Sequence, residues 1–369
     1  MLKNYTYCIL ISLLLSYTQS IVPLKLLHLS FHKGCIREIK YIARELGAEL
    51  TSIFVQDDWV KDNNYDGITK GNAIYNVSHQ RAQDVWNRHK EFFNQFDAII
   101  TSDTVPLSRI FLQNGWQKPL IIWICNRFDY TDWDSSRQGF PDDEYYQLIR
   151  TATQQNNVYF VAYNAFEHHY GHTRGIDFGT RTITPSGKFK NKARQSLVPN
   201  TIDKAKTFFI PPRNNDVQLV EHCNRLGIPC YRGVYNGPTD LEGFKGVIHI
   251  PYAWSNLALF ENIQLGLPIF IPTKRFMLEL LSTRRAWWPN VEYMQTCIDL
   301  TEWYCPEHKH WFIFFDSWND LKTKIDATDF AVIRTKVHEY GKKHNDTVLA
   351  QWHALFNTIS SKQKVKNEF

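Results

Sequence analysis

A chain of 369 residues with 43% hydrophobic and 15% aromatic content has enough apolar mass for two domain cores and too much for wholesale disorder. Its 42 basic and 37 acidic residues are spread along the sequence, for a net charge of +5, which is not the concentrated basic stripe of a nucleic-acid binder. Beyond the first residues, no stretch is long and apolar enough for a membrane span.

The N-terminus reads "MLKNYTYCILISLLLSYTQS". One lysine, an apolar run from Tyr7 to Leu15, then Ser16, Thr18 and Ser20 have the layout of a signal peptide over residues 1–20. The expectation is a protein of the secretory lumen or secreted, through a cleaved leader or a short anchor; without a working signal it is cytoplasmic. Cleavage removes Cys8 and leaves Cys35, Cys125, Cys223, Cys230, Cys297 and Cys305, an even number that suits disulfides. Sequons at Asn4, Asn76 and Asn345 fit a glycoprotein.

"LKLLHLSFHKG" is read as a buried strand entering a loop, and "CIREIKYIAREL" places Ile36, Ile39, Ala43 and Leu46 on one helical face. "AELTSIFV" and "FDAIITSD" are strands, "VPLSRIFLQNG" a helix closed by glycine, "PLIIWIC" and "NVYFVAY" two more strands. Residues 186–204, polar and basic without periodicity, form the linker. The pattern then restarts with strands in "AKTFFIPP", "IPCYRGV", "FKGVIHIPY" and "LPIFIPT" and helices in "NNDVQLVEHCNRLG" and "SNLALFENIQLG". Apolar strands alternating with helices imply parallel sheets covered on both faces. The expected fold is therefore α/β: two doubly wound Rossmann-like domains facing a cleft, over residues 21–185 and 205–335. A helical tail, 336–369, packs back towards the first domain. Ligands of such sheets bind beyond the carboxyl ends of the strands.

One segment concentrates the chemistry. In "HIPYAWSNLALFENIQLGLP" a lone acid, Glu261, shares a helical stripe with Leu257 and Leu265. Burying it there is costly unless something hydrogen-bonds it. Ser255 or Asn256 can cap this helix, whose N-terminus suits a diphosphate. Tyr252 and Trp254 stack on a base or sugar, or else pack. The string "LALFENIQLGLPIFIP" resembles the nucleotide-sugar-binding segment of GT-B-fold glycosyltransferases. That resemblance implies a sugar nucleotide donor whose ribose is held by Glu261, with Tyr252, Ser255 and Asn256 around the donor. It also implies an acceptor site in the first domain, and no metal or other cofactor. It places His32, in the loop after the first strand, as the base that deprotonates the acceptor hydroxyl, with Asp103 of "IITSD" as its orienter. Arg213, after the first strand of the second domain, would neutralise the leaving diphosphate. Two departures stand out: Ala253 occupies the position of a second glutamate carried by many retaining members, and "FHKGC" replaces a "GGxG" loop.

Other readings of the same residues stay open. His32 is a base or a solvated loop histidine. Among the acids of "CNRFDYTDWD", Asp129 is the alternative base, or one more solvated carboxylate. "EHHYGH" places His168 and His172 one helical turn apart, but no third zinc ligand is identifiable. Local links, Cys297–Cys305 and Cys223–Cys230, are the expected disulfides. The function expected is transfer of a sugar, with inversion, to a glycan, lipid, protein or small-molecule hydroxyl. A nucleotide-sugar epimerase and a two-lobe solute-binding protein are the rivals.

Overall fold

The computed structural model describes residues 23–55, 77–129, 143–188, 195–212, 218–283 and 295–367. The leader, Asn4, Asn76, Asp132, Asp134 and Arg213 lie outside them.

The first domain contains β1 (Lys25–Ser30), α1 (Lys33–Glu45), β2 (Glu49–Phe54), α2 (His79–Phe93), β3 (Ala98–Asp103), α3 (Arg109–Leu112), β4 (Leu120–Ile124), α4 (Asp143–Ala152), β5 (Val158–Ala162) and α5 (Ala165–His172). The second contains β6 (Phe208–Ile210), α6 (Leu219–Arg225), β7 (Cys230–Arg232), β8 (Gly246–Ile248), α7 (Leu257–Gln264), β9 (Ile269–Pro272), α8 (Lys274–Ser282), β10 (Phe312–Phe315) and α9 (Trp318–Ala327). A last helix, α10, runs from Phe330 to Asn367.

Each domain holds a five-stranded parallel sheet, in the orders β2-β1-β3-β4-β5 and β10-β9-β8-β6-β7. Counted from each domain's own first strand, both orders are the same: second, first, third, fourth, fifth. The order reverses between β1 and β3 and between β6 and β8, and crevices open at the carboxyl ends of such pairs. Central strands are buried throughout, as in "AIITSD" and "LIIWI", because helices cover both faces. The edge strand β2 is half exposed. This is the two-domain α/β architecture that the sequence implies.

The helix expected from "VPLSRIFLQNG" is split. Pro106 begins a 3-10 turn, Val105–Ser108, and only α3 follows as α-helix. The expected tail begins earlier than residue 336: Phe330 packs its ring against Phe208 and Phe270 beneath the second sheet. The helix then reaches the first domain, where Trp352 meets Trp123 edge-on at 5.9 Å and Asn345 Oδ1 accepts from the Tyr41 hydroxyl at 2.8 Å. Asn345 is therefore buried and closed to glycosylation. The structure gives no support to the expected disulfides, since all six described cysteines are free. Cys305 Sγ contacts the Glu302 carbonyl instead. No described helix is long and apolar enough to cross a membrane.

Candidate active site

β1 ends at Ser30, whose hydroxyl accepts the His32 amide at 3.1 Å and turns the chain into α1. His32 is the N-cap residue of α1, but its side chain does not cap. The ring instead folds over the first turn of the helix, where Nδ1 lies 3.7 Å from Cys35 Sγ. Gly34 makes room for it: a Cβ there would stand 2.7 Å from His32 Cε1 and 2.6 Å from Leu257 Cδ1 of α7. The residue is exposed to solvent, while neighbouring protein groups desolvate its ring.

Asp103 closes β3 with φ of +82°, a strained conformation for a non-glycine residue. Its carbonyl accepts the amides of Cys125 and Asn126, which holds the strain in place. The carboxyl is buried and makes no hydrogen bond to His32. Burial lifts its pKa to about 7, against the pull of His32. For His32, burial alone would depress the pKa; the hydrogen bond and charge of Cys35, then the charge of Asp103, outweigh it and raise the pKa to about 9. The first-domain crevice thus joins His32, Cys35 and Asp103 at the point where the strand order reverses. Below it His28, buried and held neutral, shares the Ser102 hydroxyl at 2.8 Å.

Glu261 faces this cluster. The α7 stripe that carries it contains Leu257, which touches α1, and Gln264, whose amide donates to the carbonyls of Ser186 and Gly341 at 2.7 and 2.8 Å. Its carboxylate has no hydrogen-bond partner among the described residues. Burial raises its pKa to about 7, opposed by the positive charges of Arg37 and His32. The acid on the apolar stripe is thus partly exposed rather than sealed in a core, and it lies in the field of Arg37 and His32.

The opposite side of α7 lines a pocket of about 220 Å³ beyond the ends of β6 and β8. Pro211 and Pro212 follow β6, His249 follows β8, and Asn256, Ala258 and Asn262 come from α7 and its cap, with Tyr252 and Trp303 beside them. His249 is 2% exposed with neither ring nitrogen hydrogen-bonded, and Asn262 is 7% exposed with Oδ1 unpartnered. Burial holds His249 neutral, with a pKa near 3. Buried polar atoms without partners are costly, and here they border open space.

The start of α7 is already occupied. Asn256 Oδ1 accepts the Ala258 amide at 2.9 Å and its Nδ2 donates to the Tyr252 hydroxyl at 3.1 Å. The Asn256 amide donates to Glu302 Oε2 at 2.8 Å, and the Ser255 hydroxyl donates to the Cys125 carbonyl at 3.1 Å. Two amides at the helix start are therefore already taken, that of Asn256 by a carboxyl and that of Ala258 by the Asn256 side chain. Trp254 stacks on Phe166 at 4.4 Å between the domains, away from the pocket.

Asp129, the alternative base, accepts from the Tyr146 hydroxyl at 2.8 Å and pairs with Arg174 at 2.9 Å, so its charge is already neutralised. His168 bonds Thr182 and His172 pairs with Asp177, so the two rings point to separate partners. No group of three metal-ligating side chains occurs among the described residues.

The structure thus brings His32, Asp103 and Glu261 together, and places Tyr252 and Asn256 in the pocket behind. Cys35, Arg37, His249, Asn262 and Glu302 were not singled out by sequence. Asn262 had a signal, being polar beside Glu261 in a helix that begins with four apolar residues; Glu302, distant in sequence, had none.

No family model matches the chain, and no curated protein does. Solved structures that overlay it include UGT89C1 of Arabidopsis thaliana, with 11% identity and a TM-score of 0.48 over 89% of this chain and 99% of that one. The same plant protein has been solved with UDP. The glycosyltransferase SnogD from Streptomyces nogalater overlays with 10% identity and a TM-score of 0.41, over 89% and 99%. The lipopolysaccharide outer core galactosyltransferase WaaB does so with 10% and 0.45, over 90% and 99%. At such identity and overlap these are likenesses of architecture, and they bear on neither ligand nor reaction.

Proposed function

We propose that the chain transfers a sugar from a nucleotide-linked donor, held against the second domain, to a hydroxyl acceptor in the cleft beside His32. The observation that carries this reading is the double use of α7. One face of the helix borders a pocket with unpartnered polar atoms from His249 and Asn262, flanked by Tyr252 and Trp303. The other presents Glu261 to the His32 cluster. A planar, hydrogen-bonding base suits the first, and a ribose diol satisfies the carboxylate on the second. His32 Nε2 accepts the acceptor hydroxyl's proton while that oxygen bonds to the anomeric carbon. The bond from that carbon to the diphosphate oxygen breaks with its electron pair, inverting the centre. Because Glu302 already holds the Asn256 amide, the diphosphate is expected outside the start of α7; Arg213, the sequence's candidate for it, lies outside the described residues. A base with pKa near 9 makes the rate rise with pH through that value.

The test is calorimetric titration with UDP, GDP, CMP and their sugars, on the protein and on its Glu261→Gln variant. One nucleotide series should bind, and more weakly to the variant. A well-folded protein that binds none of them removes the transferase reading. Product analysis with the bound donor alone separates the rival: an epimerised sugar nucleotide without acceptor identifies an epimerase.

A further inference from the structure

Among the described residues His32 has one hydrogen-bonding partner for its ring, and that partner is a sulfur. Cys35 Sγ stands 3.7 Å from Nδ1, one helical turn into α1. Asp103, the residue expected for this task, acts on the ring through charge without a hydrogen bond. The sulfur is itself fixed from behind. It lies 3.8 Å from Cys125 Sγ, which contacts the Trp123 carbonyl at 3.6 Å, so the first-domain sheet holds the pair in place. Gly34 completes the seat, since any side chain there would occupy the volume of the ring. Nε2 has no partner among the described residues.

We infer that Cys35 is the positioning residue of His32: its sulfur anchors Nδ1 and leaves Nε2 turned to the cleft, the task a carboxylate performs in histidine–aspartate pairs. The geometry stands without any assignment of activity; its catalytic meaning rests on the reading of His32 as base. A sulfur anion at Nδ1 selects the neutral tautomer with its proton on Nδ1. The lone pair then belongs to Nε2, which takes up the acceptor's proton while Nδ1–H stays on sulfur. The charged and titratable groups facing the ring are Cys35 and Arg37 on α1, Asp103 at the end of β3 and Glu261 on α7, with Cys125 behind Cys35. Cys125 first, then His32, hold the Cys35 thiol below its ordinary range, which favours negative sulfur beside the imidazole.

The experiment is a nitrogen-15 NMR titration of His32 in the unliganded full chain, assigned with a His32→Gln variant. It is repeated in Cys35→Ala, Cys35→Ser and Asp103→Asn, each checked for an unchanged thermal midpoint. In the unaltered protein the neutral ring is expected as the Nδ1–H tautomer; the Nε2–H tautomer overturns the proposal without any variant. Cys35→Ala should lower the titration midpoint by about one to two pH units and mix the tautomers. Cys35→Ser should keep the tautomer, because a hydroxyl still occupies the place, but not the midpoint. Asp103→Asn should lower the midpoint less than Cys35→Ala does. A larger effect of Asp103→Asn, or no effect of Cys35→Ala, returns the role to the carboxylate. None of these readouts involves nucleotide or turnover, so they remain decisive if the transferase reading fails.

Discussion

The backbone amide of Asn256 donates to Glu302 Oε2 at 2.8 Å, and Oε1 of the same carboxyl accepts from Asn164 Nδ2 of the first domain at 3.4 Å. One buried side chain thus holds the cap residue of α7 and ties it to the other domain. Burial drives its pKa well above the ordinary carboxyl range, against the hydrogen bonds from Asn256 and Asn164. Glu302→Gln preserves the shape of the side chain and an acceptor oxygen and is expected to leave the thermal midpoint within a few degrees. Glu302→Ala orphans both donors and should cost about 1–3 kcal/mol, read by chemical denaturation. Equal losses in the two variants would show that a charged carboxylate is needed.

Asn262 and His249 border the second-domain pocket with unpartnered atoms. Replacing Asn262 with leucine, of similar size, removes a buried carbonyl that nothing satisfies. The unliganded protein should gain about 1–2 kcal/mol while losing affinity for the proposed nucleotide. A variant that is destabilised would mean that Asn262 is structural.

Glu38, 3% exposed on α1, accepts the amides of Ser186 at 2.6 Å and Gly187 at 3.3 Å. Burial outweighs those bonds and raises its pKa from 4.5 to about 7. The folded state therefore binds this proton more tightly than the unfolded chain. Glu38 contributes no penalty below pH 4.5, and as pH rises towards 7 its contribution to stability falls by at most about 3 kcal/mol. Thermal midpoints at pH 4.5 and 7.5 should differ less in Glu38→Gln than in the parent. Identical differences in the two proteins would remove Glu38 from the account.

Two glycines separate a movable contact from a rigid one. A Cβ on Gly34 meets the ends of the flexible side chains Leu257 and His32. Gly34→Ala should fold with a stability within about 1 kcal/mol of the parent, yet displace the His32 ring and shift its NMR signals. Gly187 has φ of +73°, and a Cβ there would stand 2.3 Å from the backbone carbon of Phe260. Gly187→Ala should cost at least about 1–2 kcal/mol from conformation alone, plus the displacement of α7. Unfolding measurements that rank Gly34→Ala as the more damaging change would contradict both descriptions.

The domain architecture was legible in the pattern of residues, because strands such as "AIITSD" and "LIIWI" must be apolar on both faces to lie inside a covered parallel sheet. The same logic located most strands of both sheets and the loops at their carboxyl ends, where Tyr252 and Asn256 lie; His32 and Asp103 were named by the resemblance to GT-B-fold glycosyltransferases. It did not reveal β10: "FIFF" sits inside a long stretch rich in aromatics, with no period of its own.

What remained hidden were relationships between distant residues. Periodicity tells which face of α7 is apolar, but not that Glu261 on one side meets α1 while Asn262 on the other meets a pocket. The Asn256 amides looked open from the local cap pattern; Glu302, distant in sequence, comes to them only when the chain folds. The cysteines could be counted but not paired, and the contact that matters, Cys35 on Cys125 beneath His32, joins residues brought together by the crossover from β1 to β4. Local pattern carries hydrophobicity and turn chemistry, which act over a few residues. Hydrogen bonds and charges act over a few ångströms, and only the packed fold sets which residues stand that close.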